Sequence, residues 1–320
     1  MLLESIPQPC DIYEARQRIT PYIHRTPLLT CQTLDELAGC KLFFKCENFQ
    51  KAGAFKSRGA CNAVFSLESE EASKGVATHS SGNHAQALAR AASLRGIKSY
   101  IVMPRNAPEV KILAVKHYKG EITFCEPTLT AREETLKNVI QQTGAIEIHP
   151  YNNYSIIAGQ STAAVEIFEE IGWPDFLITP VGGGGLLSGS SLAALYFSNH
   201  TKVLGAEPEG ADDAYHSFHT GKIVPSLHPV TIADGLLTSL GSKTFPIIKK
   251  NVFEILRVSE QNIVKAMQMI WERMKIIVEP SAAVPLGAIL QYPEIFLHSK
   301  TAIILSGGNV DLNKLPFTSH

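Results

Sequence analysis

Lys56 lies in the run Gln50-Lys51-Ala52-Gly53-Ala54-Phe55-Lys56-Ser57-Arg58-Gly59-Ala60, beside an aromatic residue and at the start of a helical pattern. Such a setting holds one ammonium group at the rim of a pocket. Desolvation disfavours the charged form of a lysine and frees the amine to attack an aldehyde and form a Schiff base. A surface lysine on an amphipathic helix has the same local pattern, so the surrounding motifs must decide. Gly182, Gly183, Gly184 and Gly185 stand between an apolar strand-like run and a helix-length segment. A bare backbone at a helix start can wrap an anion and point N–H groups at it, and a phosphate fits. A tight turn accounts for one or two glycines but not for four in a row.

Two nucleotide readings fail on register. Glu207 follows the next strand about where a ribose-binding acid would fall, but Leu186, Leu187 and Ser188 occupy positions that a G-x-G-x-x-G motif needs. A P-loop requires glycine where Phe55 precedes Lys56. Ser80-Ser81-Gly82-Asn83-His84 follows a strand and opens a helix, again gathering free N–H groups at one point. Simple N-capping by Ser81 or Asn83 would look the same.

The elements that must position these residues alternate. Residues 11 to 20 read as a helix ending before Pro21, Arg25 to Leu28 as an extended entry, and Lys41 to Lys45 as a short strand. Strand-like runs at 75–79, 99–103, 121–125 and 145–149 are separated by helix-length segments. Gly96, Gly120 and Gly144 each precede one of the later strands, as helix C-terminal glycines do. This alternation predicts a parallel sheet with crossover helices, and places a small domain at 74–151 inside a larger one formed by 1–73 and 152–320. The second part repeats the logic: a helix at 155–171, strands at 176–181 and 202–206, a long helix at 259–275, and the strand Ala302 to Leu305 before Ser306-Gly307-Gly308-Asn309.

The chain has 320 residues, 45% hydrophobic and 18% charged, enough for a large core and two domains. A net charge of -1 gives no electrostatic reason to expect nucleic acid or an anionic membrane as partner. Six scattered cysteines show no zinc spacing and read as reduced thiols. Glu4 and Asp11 interrupt any signal-peptide core, and no apolar run reaches membrane-spanning length, so a cytoplasmic protein is expected.

The segment Glu47 to Ala60, the Ser80–His84 loop and the glycine run occur in an order that resembles the fold-type II pyridoxal phosphate (PLP) enzymes, most of all serine racemase and the short threonine dehydratases. The resemblance spans about residues 11 to 313. It implies an α/β fold of two domains, each a twisted, mostly parallel sheet flanked by helices, with PLP in the cleft between them. It further implies a homodimer acting on a small amino acid, with no room for the C-terminal regulatory domain of the biosynthetic threonine dehydratases.

By the same resemblance, Lys56 carries PLP and takes the substrate α-proton on one face, and Ser81 serves the other face. Phe55, Asn83, Gly182 to Gly185 and Ser306 bind the cofactor, with Ser306 on the pyridine nitrogen. Ser80, Ser81, Gly82, Asn83 and His84 grip the substrate carboxylate. Glu207, the backbone of Ala211 and Asp213 resemble the family's divalent-cation site, which suits Mg²⁺ or Ca²⁺. By spacing alone that run also reads as a solvated acidic loop. Ser81 matches serine racemases where many threonine dehydratases carry alanine, whereas Ala54 and Tyr151 depart from the animal racemases. The expected activity is conversion of L-serine or L-threonine to D-serine or to a 2-oxo acid and ammonia. A threo-3-hydroxyaspartate dehydratase, with Arg132 facing a second carboxylate, is the alternative; a non-catalytic PLP carrier is the alternative of another class.

Overall fold

The computed structural model describes residues 1–80, 82–107, 109–312 and 314–317, with the side chain of Val110 left out. Ten strands run in chain order: β1 Leu28–Leu29, β2 Lys41–Cys46, β3 Val76–His79, β4 Ser99–Pro104, β5 Glu121–Cys125, β6 Ile146–Glu147, β7 Phe176–Pro180, β8 Lys202–Pro208, β9 Glu254–Val258 and β10 Lys300–Leu305. They form a six-stranded sheet, β1-β2-β10-β7-β8-β9, and a four-stranded sheet, β5-β4-β3-β6. Every pairing is parallel except β1 with β2. The α/β fold implied by the sequence is therefore present. Strand β10 lies between β2 and β7, with Ala302 opposite both Phe43 and Leu177. Helices cover both faces of such a strand, which explains its unbroken apolar run Ala302-Ile303-Ile304-Leu305, all fully buried.

The helix that begins at Lys56 joins the two sheets. Lys56–Ser66 contributes Ala60, Cys61, Ala63 and Val64 to the same apolar cluster as Ala85, Leu88, Ala89 and Ala92 of the helix Asn83–Arg95, which flanks the smaller sheet. Its other side meets the helix Tyr154–Ile171, where Gly59 and Gly159 bring the two backbones together. A Cβ on Gly159 would lie 2.6 Å from Gly59 Cα. Gly189, in the helix Gly185–Phe197, allows the next close approach, since its Cβ would lie 2.8 Å from Ile157 O.

Several expectations need adjustment. The first helix is Pro9–Ile19, but a 3₁₀ turn Thr20–Tyr22 carries the chain through Pro21, because proline is tolerated in a first helical turn. Gly96 and Gly144 do close helices in the left-handed region, at φ +73° and +70°. Gly120 does not. Lys119 takes that conformation at φ +61°, and Gly120 is needed for space, because its Cβ would lie 2.7 Å from Val115 Cγ1. The long helix expected at 259–275 is Glu260–Met269, continued by a π-helical turn Ile270–Met274. All six cysteines are free. No helix among the described residues is long and apolar enough to cross a membrane.

Gly159→Ala tests the helix crossing. With backbone on both sides, the helices can admit a methyl only by separating, so a loss of about 1–3 kcal/mol is expected in thermal or denaturant unfolding. An unchanged melting temperature would show that the crossing has slack.

Candidate active site

Lys56 is half-buried and its Nζ donates to Pro150 O at 2.9 Å. Burial pushes its pKa down to about 8, against the opposing pull of Glu279. The Phe55 ring centroid lies 5.2 Å from Nζ. The segment carrying both residues is zipped to the loop after β10: Phe55 N–H donates to Ser306 O at 3.0 Å, and Gly308 N–H donates to Gly53 O at 2.9 Å. Ser306 is 3% exposed and its hydroxyl has no hydrogen-bond partner among the described residues.

Gly182 to Gly185 follow β7 and lead into the helix Gly185–Phe197, with Gly184 as its N-cap at φ +87°. Their N–H groups donate to no protein acceptor among the described residues. Side chains are excluded. A Cβ on Gly183 would lie 2.3 Å from the Tyr151 ring, and one on Gly185 3.0 Å from Tyr151 Cβ. Thr244 Oγ1 fixes the loop by donating to Gly183 O at 2.8 Å. Because Tyr151 directly follows Pro150, the lysine and the glycine loop are anchored on the same two residues.

Asn83 begins the helix Asn83–Arg95 after β3. Its Nδ2 donates to Glu279 at 2.8 and 3.1 Å, and its Oδ1 accepts from Asn309 Nδ2 at 2.9 Å. Ser80 Oγ accepts from Gly82 N–H at 3.3 Å. His84 Nε2 donates to Ile148 O at 3.0 Å; burial pushes its pKa down to about 3, so the ring is neutral, and Nδ1 is buried without a partner. Ser81 lies outside the described residues.

Glu279 and Asn309 are the functional candidates that the sequence reading leaves out. Burial pushes the Glu279 carboxyl up to about 7, with Asp234 adding to the effect. Gly307 makes room for it, since a Cβ there would lie 2.6 Å from Glu279 Oε1. The signal was available: Glu279 is a lone charge in Ile276-Ile277-Val278-Glu279-Pro280, just before the helix Pro280–Gln291.

These residues pass the test that PLP sets. Four amides at a helix start that donate to none of the described residues suit its phosphate, the buried hydroxyl of Ser306 suits its ring nitrogen, and a lysine with lowered pKa suits its aldehyde. A second group is placed apart from Lys56. Glu207, fully buried in β8, accepts from the N–H groups of Ala214 and Tyr215 at 3.0 and 2.9 Å. Both carboxylate oxygens of Asp213 are buried without a hydrogen-bond partner of normal geometry. Burial pushes Glu207 up to about 9, with the charge of Asp213 adding to it, and burial likewise pushes Asp213 up to about 6. Ala211 ends the adjoining turn Glu209–Ala211. Among the described residues no cluster of three His, Cys, Asp or Glu side chains could hold a metal, so a cation here would need carbonyl oxygen and water besides these two carboxylates.

A lysine of lowered pKa, a glycine loop at a helix start and two mostly parallel sheets are the arrangement that a pyridoxal phosphate enzyme needs. Residues 19–307 match the family described as "Pyridoxal-phosphate dependent enzyme", and the chain belongs to it. It is 51% identical to the beta-hydroxyaspartate dehydratase of Paracoccus denitrificans (strain Pd 1222), over 98% of this chain and 99% of that protein. It is 53% identical to the serine racemase of Dictyostelium discoideum, over 95% of each. The solved structure of maize serine racemase matches with a TM-score of 0.95 at 46% identity, covering 97% of this chain and 95% of that one.

In cofactor-free protein, reductive labelling of Lys56 by a small aldehyde should have its pH midpoint near 8, well below an ordinary lysine. Glu279→Gln removes a charge that favours the ammonium, so the midpoint should fall further. A midpoint in the ordinary lysine range, read by peptide mapping, would place the amine in open solvent.

Proposed function

We propose that the protein is a PLP-dependent serine racemase with L-serine and L-threonine dehydratase activity. The observation that carries this reading is Lys56, an amine of lowered pKa joined through Pro150 and Tyr151 to a cradle of unpaired glycine amides. When bound, PLP supplies an electron sink for the carbanion left at the substrate α-carbon. Gly182 to Gly185 would hold its phosphate, Ser306 its ring nitrogen, Phe55 and Asn83 its ring. Ser80, Gly82, Asn83 and His84, at the positive end of the helix Asn83–Arg95, would hold the substrate carboxylate. Lys56 Nζ accepts the α-proton on one face. A proton delivered from the other face, assigned to Ser81 on its sequence match, gives the D-amino acid; departure of the β-hydroxyl as water gives an enamine whose hydrolysis by a second water yields the 2-oxo acid and ammonia. The similarity to a racemase and to a dehydratase supports both outcomes. The same reading takes 74–151 as a small domain within 1–73 and 152–320, a cytoplasmic homodimer, and Mg²⁺ or Ca²⁺ bound by Glu207, the Ala211 carbonyl and Asp213.

A second reading, a threo-3-hydroxyaspartate dehydratase, is favoured by Arg132. Its Nε is buried without a hydrogen-bond partner, and its charge is felt by His79 at the end of β3. A second substrate carboxylate would satisfy it. A product screen with L-serine, D-serine, L-threonine and both 3-hydroxyaspartates separates the readings, and pyruvate from L-serine excludes a mere carrier. Ser81→Ala should abolish D-serine formation and elimination from D-serine while elimination from L-serine survives, a loss of about 10²- to 10⁴-fold. Racemisation at the parent rate would remove Ser81 from the mechanism.

The cation makes a pH-dependent prediction. The folded-state pKa values of Glu207 and Asp213 lie above their ordinary range, so without metal the fold is supported by bound protons. That support is complete below the ordinary carboxylate range and is lost as pH rises through about 6 and on toward about 9. Mg²⁺ replaces the protons, so the melting-temperature gap between Mg²⁺-loaded and chelated protein should widen from about pH 5 to about pH 8. A gap independent of pH, or none, would return these carboxylates to a structural role.

A further inference from the structure

Lys111 belongs to none of the motifs above, yet its ammonium sits at the site. It lies on the helix Glu109–His117, beside the smaller sheet, and a Cβ on Gly82 would be 3.9 Å from Lys111 Nζ. Its partner is Asp234, in the 3₁₀ turn Asp234–Leu236 on the side of the larger sheet. Lys111 is 14% exposed in this pair and Asp234 51%. The turn is fixed from below, with Gly235 N–H donating to Ser281 Oγ at 3.0 Å, two residues from Glu279. It also forms a wall of the glycine loop, since a Cβ on Gly182 would lie 3.0 Å from Leu236 Cα. One ion pair therefore ties the helix whose Lys111 lies against Gly82 to the turn that braces both Gly182 and the Glu279 segment. Among the described residues, the only other ion pair joining 74–151 to the rest is the local Lys74–Glu70 pair, four residues apart on one helix edge.

The geometry points to the Lys111–Asp234 pair as a positioning tie that holds the 74–151 unit closed and sets the Gly82 loop for the substrate. The inference rests on the reading of that loop as the carboxylate cradle. Among the described residues, the hydrogen bonds that join this loop to 1–73 and 152–320 are those of Asn83 with Glu279 and Asn309. The charges also act on the site, because Asp234 raises and Lys111 lowers the pKa of Glu279. A cavity of about 390 Å³, lined by Gln86, Lys111, Asp234, Asn309 and Lys314 among others, leaves one side of the pair open to water, so salt should weaken it.

The test uses holoenzyme of five forms: parent, Lys111→Ala, Asp234→Ala, the swapped pair Lys111→Glu/Asp234→Lys, and Lys74→Ala. Each single variant of the pair should raise KM for L-serine about two- to fivefold with kcat changed far less, the size expected of one partly screened ion pair. Hydrogen exchange of the amides at 82–86 should quicken in the same variants, and the swapped pair should restore both readouts. Lys74→Ala, which removes the local pair, should change neither. Unchanged KM and exchange in the single variants, or a swapped pair no better than either single, would overturn the proposal. Because exchange is read without turnover, failure of the tie is distinguishable from failure of the assigned reaction.

Discussion

A buried quartet of charges holds the molecule together beneath the site. Arg58 donates to Glu47 at 2.8 and 2.7 Å and to Glu166 at 2.7 and 2.9 Å, and Lys45 reaches Glu166 at 2.6 Å. Two cations and two carboxylates cancel, and all are at most 6% exposed in these pairs. Loss of any one member leaves an uncompensated charge in the core, a cost of about 3–5 kcal/mol. The four residues belong to strand β2, the turn after it, the helix Lys56–Ser66 and the helix Tyr154–Ile171, so all four are locked in one register. Lys56 stands two residues before Arg58 on the same helix. The position of the Lys56 amine follows from that of the guanidinium.

Around the amine, the structure controls charge by burial. His84 and His149 both have their pKa values pushed to about 3 by desolvation, so neither competes with Lys56 as a cation near neutral pH. The charge of Glu279 opposes the effect of burial on Lys56, and its own carboxyl is pushed up to about 7, so the amine binds its proton more weakly and the acid more tightly than usual. Sites that exchange protons with a substrate need groups poised in this way.

Much of this was legible in the sequence, for physical reasons. Strands buried on both faces produce unbroken apolar runs, so β7, β8 and β10 fall where expected, and glycines in the left-handed region marked two of the three crossover helices. The lysine segment, the Ser80–His84 loop and the glycine run stood out because free N–H groups are gathered at chain-local turns. What escaped were contacts between segments far apart in sequence. Glu279 meets Asn83 across 196 residues, and Lys111 meets Asp234 across 123. A lone glutamate and an ordinary helical lysine carry no pattern of their own. Gly120 misled because bulk exclusion and positive φ both select glycine, and the sequence cannot distinguish them.

The placement of the candidate groups has one common origin. The Ser80–His84 loop, the glycine run and Ser306 follow the carboxyl ends of β3, β7 and β10, and Glu207 stands next to last in β8. Parallel strands bring their loops out on one edge, and that edge is where helices begin, so amide groups and ligands collect there. The two sheets divide the work. The larger one presents the lysine, the glycine cradle and Ser306, all on segments held by the charge quartet, by Tyr151 or by β10. The smaller one presents the Ser80–His84 loop, which meets the larger sheet's side through Asn83, while the neighbouring helix Glu109–His117 meets it through Lys111. Asn83 is thus the point where the smaller sheet's loop reaches Glu279 and Asn309 of the larger unit.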